Sequence, residues 1–259
     1  MPSELRTERD GSTVVLTLHG PETRNTLSEG LVAAATEALA TAEDDRDVRA
    51  IVLTGAGGHF CAGGNLQAMI ARREAGREAQ ARMLGLLHRW IEALRACPKP
   101  VIAAVEGAAA GAGFSIAMAC DLVVASDEAR FVLSYAKLGL TPDGGATWHL
   151  GRAVPRPLLQ QWLWLAEPVS ARQLEPFGLV TRVCPAGQAV TEAKALADRL
   201  AAMAPNAIAG AKELLQRVPE SDFAAQLDAE RDRFIESLFH ANAAEGIAAF
   251  LGKRAPRFE

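Results

Sequence analysis

Two glycine-rich turns hold the residues with the most chemical potential in this sequence. The first reads His59-Phe60-Cys61-Ala62-Gly63-Gly64-Asn65-Leu66 and follows an apolar run. The second follows Val101-Ile102-Ala103-Ala104-Val105 and reads Glu106-Gly107-Ala108-Ala109-Ala110-Gly111-Ala112-Gly113. Tiny side chains let a ligand come close to the backbone, where N–H groups can point at a developing negative charge. If the two turns face each other, two amides converge on one oxygen as an oxyanion hole. In other enzymes one such donor is worth about 3–4 kcal/mol of transition-state stabilisation. Small residues also serve simply to bring a helix close to a strand. A dinucleotide fingerprint fits less well. Gly111-Ala112-Gly113 lacks a third glycine at the required offset, and no acidic residue closes a strand about 20 positions on.

The elements that must position these turns alternate along the chain. Val14–Leu18 reads as a strand. Thr26-Leu27-Ser28-Glu29 reads as a capping box opening an Ala-rich helix to about residue 42. Ala50–Thr54 is a second strand, followed by the first turn. Residues 66–96 are helical in pattern, heavily charged in the middle and weakened by Gly76 and Gly85, which makes them a candidate lid or a solvated face. Cys97-Pro98-Lys99-Pro100 breaks that helix and launches the strand before the second turn. A helix over 111–119 and strands over 121–125 and 130–133 follow, then a turn at Pro142-Asp143-Gly144-Gly145 and a helix over 155–165. Ser170-Ala171-Arg172-Gln173 is another capping box, and Val180–Val183 is the last strand. Residues 188–203, 206–217, 222–239 and 242–251 read as helices. Strands alternating with helices at this spacing argue for an α/β core with parallel pairing. The composition shift near Cys184 divides the chain into 1–185 and 186–259, the second part being a helical oligomer contact or a cover over a neighbour's site.

The 259 residues suit one large domain with an appendage. A hydrophobic content of 49% with only 5% aromatics means a core of Ala, Leu, Val and Ile. The net charge of −4 and the lack of a Lys/Arg block argue against a nucleic-acid surface. Four cysteines with no CxxC pair argue against a zinc site or disulfide framework and fit a reduced, cytoplasmic compartment. The polar N-terminus has no signal-peptide core, and no apolar run is long enough to predict a membrane span.

Several motifs in order resemble the enoyl-CoA hydratase/isomerase (crotonase) superfamily. They are Pro21-Glu22-Thr23-Arg24-Asn25-Thr26-Leu27, then Phe60 to Leu66, then Lys99 to Gly107 with the small-residue turn and Cys120-Asp121. Gly139-Leu140-Thr141-Pro142-Asp143-Gly144-Gly145 and Phe250 to Phe258 complete the set. The likeness runs nearly end to end and implies a repeated ββα spiral core with a C-terminal all-helical trimerisation region, acting on acyl-CoA. The resemblance puts the hole donors at the N–H groups of Gly64 and Ala112, where the family usually has Gly at the second position. It puts CoA contacts at Arg24 and at Lys253, the latter sometimes reaching a neighbouring subunit, with Ala62, Asn65, Leu66 and Gly113 as further substrate-binding positions. It implies no resident cofactor or metal, coenzyme A being part of the substrate, and a homotrimer or dimer of trimers.

The two glutamates that hydratases of the family use would fall at Ser115 and Tyr135. Neither is a carboxylate, so two-glutamate hydration is not expected. Asp143 stands near the expected site and reads either as a helix N-cap or as a single acid/base. Its context resembles the 1,2-epoxyphenylacetyl-CoA isomerase and Δ3,Δ2-enoyl-CoA isomerase branch, which implies double-bond isomerisation. The expected pocket comprises Phe114, Ser115, Tyr135, Leu138 and Trp148 and should raise the Asp143 pKa by desolvation. Hydration with an altered acid/base set, or a catalytically weak acyl-CoA binder, are the alternatives. His59 and His149 read as structural residues.

Overall fold

The computed structural model of the protein describes residues 2–259. Its strands and first helices are β1 (Glu4–Asp10), β2 (Thr13–His19), α1 (Glu29–Asp44), β3 (Ala50–Gly55), α2 (Leu66–Ala75), α3 (Arg77–Ala96), β4 (Val101–Val105), β5 (Ala108–Ala110) and α4 (Ala112–Ala119). They continue as β6 (Leu122–Ser126), β7 (Arg130–Val132), α5 (Ala146–Ala153), α6 (Arg156–Leu165), β8 (Val169–Ser170), α7 (Ala171–Leu174) and β9 (Arg182–Cys184). The helices α8 (Ala189–Ala201), α9 (Pro205–Arg217), α10 (Phe223–Leu238) and α11 (Ala241–Leu251) close the chain.

Six strands form one sheet in the order β1-β2-β3-β4-β6-β9, and β5-β7-β8 form a smaller one. β1 runs antiparallel to β2, while the pairs from β2 to β9 are parallel. The parallel strands are mostly apolar because both faces of the sheet are covered. Val14, Leu16, Leu18, Ile51, Leu53, Val101, Ala103, Val105, Val123 and Ala125 point to a core shared with α1, α3 and α4. The alternate residues Val15, Ala50, Val52, Ile102, Ala104 and Val124 point to the other face, where Ala189, Ala193 and Ala197 of α8 cover them. Spacing of four along α8 puts those alanines on one helical stripe, and their size lets the helix lie close.

Three successive units repeat one path: a strand in the large sheet, a short extended segment in the small layer, then helix. β3 leads to Cys61, which bridges Ala109, and on to α2 and α3; β4 leads to β5 and α4; β6 leads to β7 and α5. This is the expected α/β spiral of ββα units. Three local readings are corrected. The helix expected from Thr26 is capped by Ser28, whose Oγ accepts from Leu31 N at 3.1 Å. The Ala108-Ala109-Ala110 stretch, read as part of a turn, is the strand β5. The N-terminal residues, read only as polar, form the edge strand β1. α2 and α3 divide at Gly76, whose φ of 105° suits glycine alone. No helix among the described residues is long and apolar enough to cross a membrane.

Candidate active site

The two glycine turns do face each other. Cys61 N donates to Ala108 O at 3.0 Å and Ala110 N donates to Cys61 O at 2.8 Å, so the first turn runs as an extra strand beside β5. On its other side Leu27 N donates to Gly63 O at 2.8 Å and Ala62 N to Arg24 O at 2.9 Å. Glycine is required where the turns touch. A methyl group on Gly63 would lie 2.6 Å from Ala110 O and 3.2 Å from Ala112 N, and one on Gly113 would collide with the Cys61 carbonyl. Two amides are left over. Ala112 is the first residue of α4, so no carbonyl lies one turn back for its N–H. Neither its N–H nor that of Gly64 donates a hydrogen bond among the described residues.

Asp143 stands beside the N-terminus of α4, and Ser115 and Tyr135 hold it there. Tyr135 Oη donates to Asp143 Oδ1 at 2.7 Å. Ser115 Oγ donates to the Asp143 carbonyl at 3.0 Å and lies 3.5 Å from Gly111 O. A methyl group on Gly111 would lie 3.8 Å from Tyr135 Oη, and one on Gly144 would lie 2.9 Å from Ser115 Cβ and 3.2 Å from Ile91 Cδ1. Asp143 is not a helix cap. The N-cap of α5 is Gly145, with no side-chain bond, and only the Asp143 backbone carbonyl meets that helix. Burial raises the pKa of the Asp143 carboxyl; the Tyr135 hydrogen bond and the charge on His88 pull against it. Burial and the adjacent Asp143 charge push the Tyr135 phenol upward, so Tyr135 is a donor and not a base.

The other expected pocket residues divide. Leu138 is half-exposed beside Tyr135. Phe114 is corrected to a core residue: it is 1% exposed and its ring packs on Phe131 with centroids 5.0 Å apart. Trp148 is taken up elsewhere, with the guanidinium carbons of Arg95 and Arg152 4.1 Å and 3.8 Å from its ring centroid. Burial, with those two arginines, pushes the neighbouring His149 down to about 4. Asn65 caps α2 through Ala68 N at 3.0 Å, and Leu66 is exposed. Arg24 is exposed on a left-handed turn with φ 54°. Lys253 lies beyond α11, its N–H bonded to Phe250 O, and these contacts keep it in the tail. His59 is structural: its Nδ1 accepts from Ala108 N at 3.2 Å.

Three anchoring residues were not read from the sequence. Asn25, fully buried, receives Gly20 N on Oδ1 and donates to the carbonyls of Ala56, His59 and Phe60. Glu106 accepts from Ala189 N at 2.9 Å, capping α8. Asp121 accepts from Val101 N and from Lys212 of α9, both at 2.8 Å. All are polar residues in quoted motifs, and a buried polar side chain at an element's end is the signal that finds them.

A spiral of ββα units with a helical tail is the architecture of the crotonase class. Residues 8–259 match the enoyl-CoA hydratase/isomerase family, and the chain belongs to it. A crystal structure of an enoyl-CoA hydratase from Polaromonas sp. JS666 is 50% identical, with a TM-score of 0.97 over 99% of this chain and 100% of that one. The 1,2-epoxyphenylacetyl-CoA isomerase of Escherichia coli is 35% identical, covering 95% of this chain and 94% of the relative. The 2,3-dehydroadipyl-CoA hydratase of the same organism is also 35% identical, covering 99% of both. The family acts on acyl-CoA thioesters, and its members here carry both hydratase and isomerase names.

Proposed function

We propose that this enzyme moves a double bond in an unsaturated acyl-CoA, with Asp143 as the single proton carrier. The observation that carries this reading is the aim of Asp143: its carboxyl is bonded to Tyr135 beside the first turn of α4 and caps no helix. In this reading the thioester oxygen sits between the N–H groups of Gly64 and Ala112. Asp143 takes a proton from C2, the electron pair spreads onto the held oxygen, and the proton returns at C4. A raised Asp143 pKa suits a group that must both accept and release a proton near neutrality. Ser115 and Tyr135 act by holding Asp143. Arg24 meets the CoA moiety, and Ala62, Asn65, Leu66 and Gly113 border the thioester and pantetheine. Coenzyme A enters as part of the substrate, and no resident cofactor is invoked.

The tail serves assembly in this proposal. Phe223, Phe239 and Phe250 are 80%, 85% and 84% exposed, an apolar surface suited to other copies of the chain in a trimer or dimer of trimers. Lys253, held in that tail, then reaches CoA on a neighbour. A cytoplasmic compartment suits the four free, buried thiols.

Assaying 3-enoyl-CoA and 2-enoyl-CoA side by side tests the proposal. Wild type should isomerise the first, and Asp143→Asn should slow that by about 10²- to 10⁴-fold. Full-rate hydration of 2-enoyl-CoA by Asp143→Asn would overturn it. The second reading, hydration with an altered acid/base set, is favoured by the hydratase names among the relatives. It is distinguished by hydration that depends on Asp143 and exceeds isomerisation.

A further inference from the structure

Asp143 has one neighbour that the proposed mechanism leaves unused. Helix α3 runs past the 143–148 segment and touches it at two places. Ile91 Cδ1 lies against Gly144, and the Arg95 guanidinium lies over the Trp148 ring. Ile91 and Arg95 are four apart and share a face, and His88 precedes Ile91 by three, so helical spacing puts His88 one turn earlier on the same strip. A strip that meets 148 and then 144 meets 143 next. The electrostatics agree, since the His88 charge acts on the Asp143 carboxyl. His88 is exposed and makes no hydrogen bond among the described residues. Tyr135 occupies Asp143 Oδ1, and Oδ2 accepts no hydrogen bond among those residues. One carboxylate oxygen of Asp143 is thus held by Tyr135, and helical spacing puts the exposed His88 on the strip of α3 that runs past the other.

We propose that His88 is the solvent-side proton relay of Asp143; this rests on the reading of Asp143 as the proton carrier for an enolised thioester. Asp143 takes a C2 hydrogen as a proton, and the C–H electron pair moves onto the thioester oxygen. The protonated carboxyl passes that proton to an unprotonated ring nitrogen of His88, and the imidazole releases a proton to water. The same steps in reverse return a solvent proton to carbon. Nothing is oxidised or reduced, and no group leaves. Imidazole suits this task because its protonation changes near neutrality. The hydrogen delivered to the product is therefore drawn from solvent, whereas Asp143 alone would carry the substrate's own hydrogen across. His88 acts through Asp143 and needs no contact with the acyl chain.

The experiment measures exchange of the C2 hydrogens of butyryl-CoA in D2O, a reaction that needs enolisation but neither isomerisation nor hydration. Wild type should exchange them, and Asp143→Asn should not. His88→Ala should exchange at least tenfold more slowly, and added imidazole should restore the rate, which a merely structural loss would not permit. Exchange by His88→Ala at the wild-type rate, or slow exchange that imidazole does not restore, overturns the relay and leaves the Asp143 mechanism standing. No exchange by wild type removes the enolate reading itself and the relay with it.

Discussion

The helices α2 and α4 leave the two glycine turns in opposite ways. α4 follows Gly111 with all eight of its residues buried, while α2 follows Asn65 with none of its ten buried. The turn before α4 rests on backbone from two sides, with Gly111 N on Val132 O, and with Ala110 N and Gly113 both against the Cys61 carbonyl. The helix after Gly64 is held at its start by the Asn65 cap and ends at Gly76. Two similar stretches of small residues therefore produce one fixed wall and one lightly anchored wall. The fixed wall also carries Ser115, whose hydroxyl holds the Asp143 carbonyl, so Asp143 is tied to the same helix as the Ala112 amide.

Substitutions can break or sharpen this contrast. The largest effect is expected at Gly113. In Gly113→Ala the new methyl meets the Cys61 carbonyl, backbone that cannot swing away, and the cost should be about 3 kcal/mol or more. Gly64→Ala meets only the flexible Met69 Cε at 3.3 Å and should cost less than about 1 kcal/mol. Urea midpoints of the two variants measure this, and equal losses would break the contrast. Next comes Tyr135→Phe. Burial raises the Asp143 pKa and the Tyr135 bond lowers it, so removing that bond leaves it higher still. A base must be ionised, so the acid limb of kcat/KM should move to higher pH, with activity lost most at the acidic end. An unmoved limb would show that Tyr135 does not tune Asp143. The smallest effect is expected from Asn65→Ala, which removes the α2 cap at a cost of about 1 kcal/mol. Its mark should be faster amide exchange confined to α2, with α4 unchanged.

Much of the fold could be read in advance because the strands are apolar and the breaks are sharp. The parallel strands, the break at Cys97-Pro98-Lys99-Pro100 and the four last helices all lie close to their expected places. β1 escaped because it is a polar edge strand with one partner, so it lacks a buried face to create a pattern. β5 escaped because three alanines resemble a turn between glycines, and only the tertiary pairing to β7 makes them a strand. At the site, the positions of Ser115, Tyr135 and Asp143 were legible as motif places. That they form one hydrogen-bonded cluster was not, because their meeting depends on how α4 and the 135–145 segment fold against each other. The relay proposed for His88 gave no signal, since His88 is one polar residue on a charged helix and its register against Asp143 exists only in three dimensions. Phe114 misled for the opposite reason. It adjoins the glycine turn in sequence, but its side chain leaves the helix on the side of Phe131.

The contact between Lys212 and Asp121 decides where this chain can be divided. A composition shift near residue 185 suggests a cut, yet α8 beyond it covers one face of the sheet. Moving the cut past α8 would spare the sheet and both glycine turns. It would still strip Asp121, a carboxyl raised by burial, of the ammonium group that offsets that burial, and would take from Leu94 and Lys99 a donor to their carbonyls. Asp121 also holds the first amide of β4, the strand that leads into the second glycine turn. For a protein engineer, α9 is therefore a rivet driven through the part of the chain that carries both glycine turns. A shortened enzyme would need a replacement for Lys212, or an uncharged residue at 121, before its activity could be compared with that of the full chain.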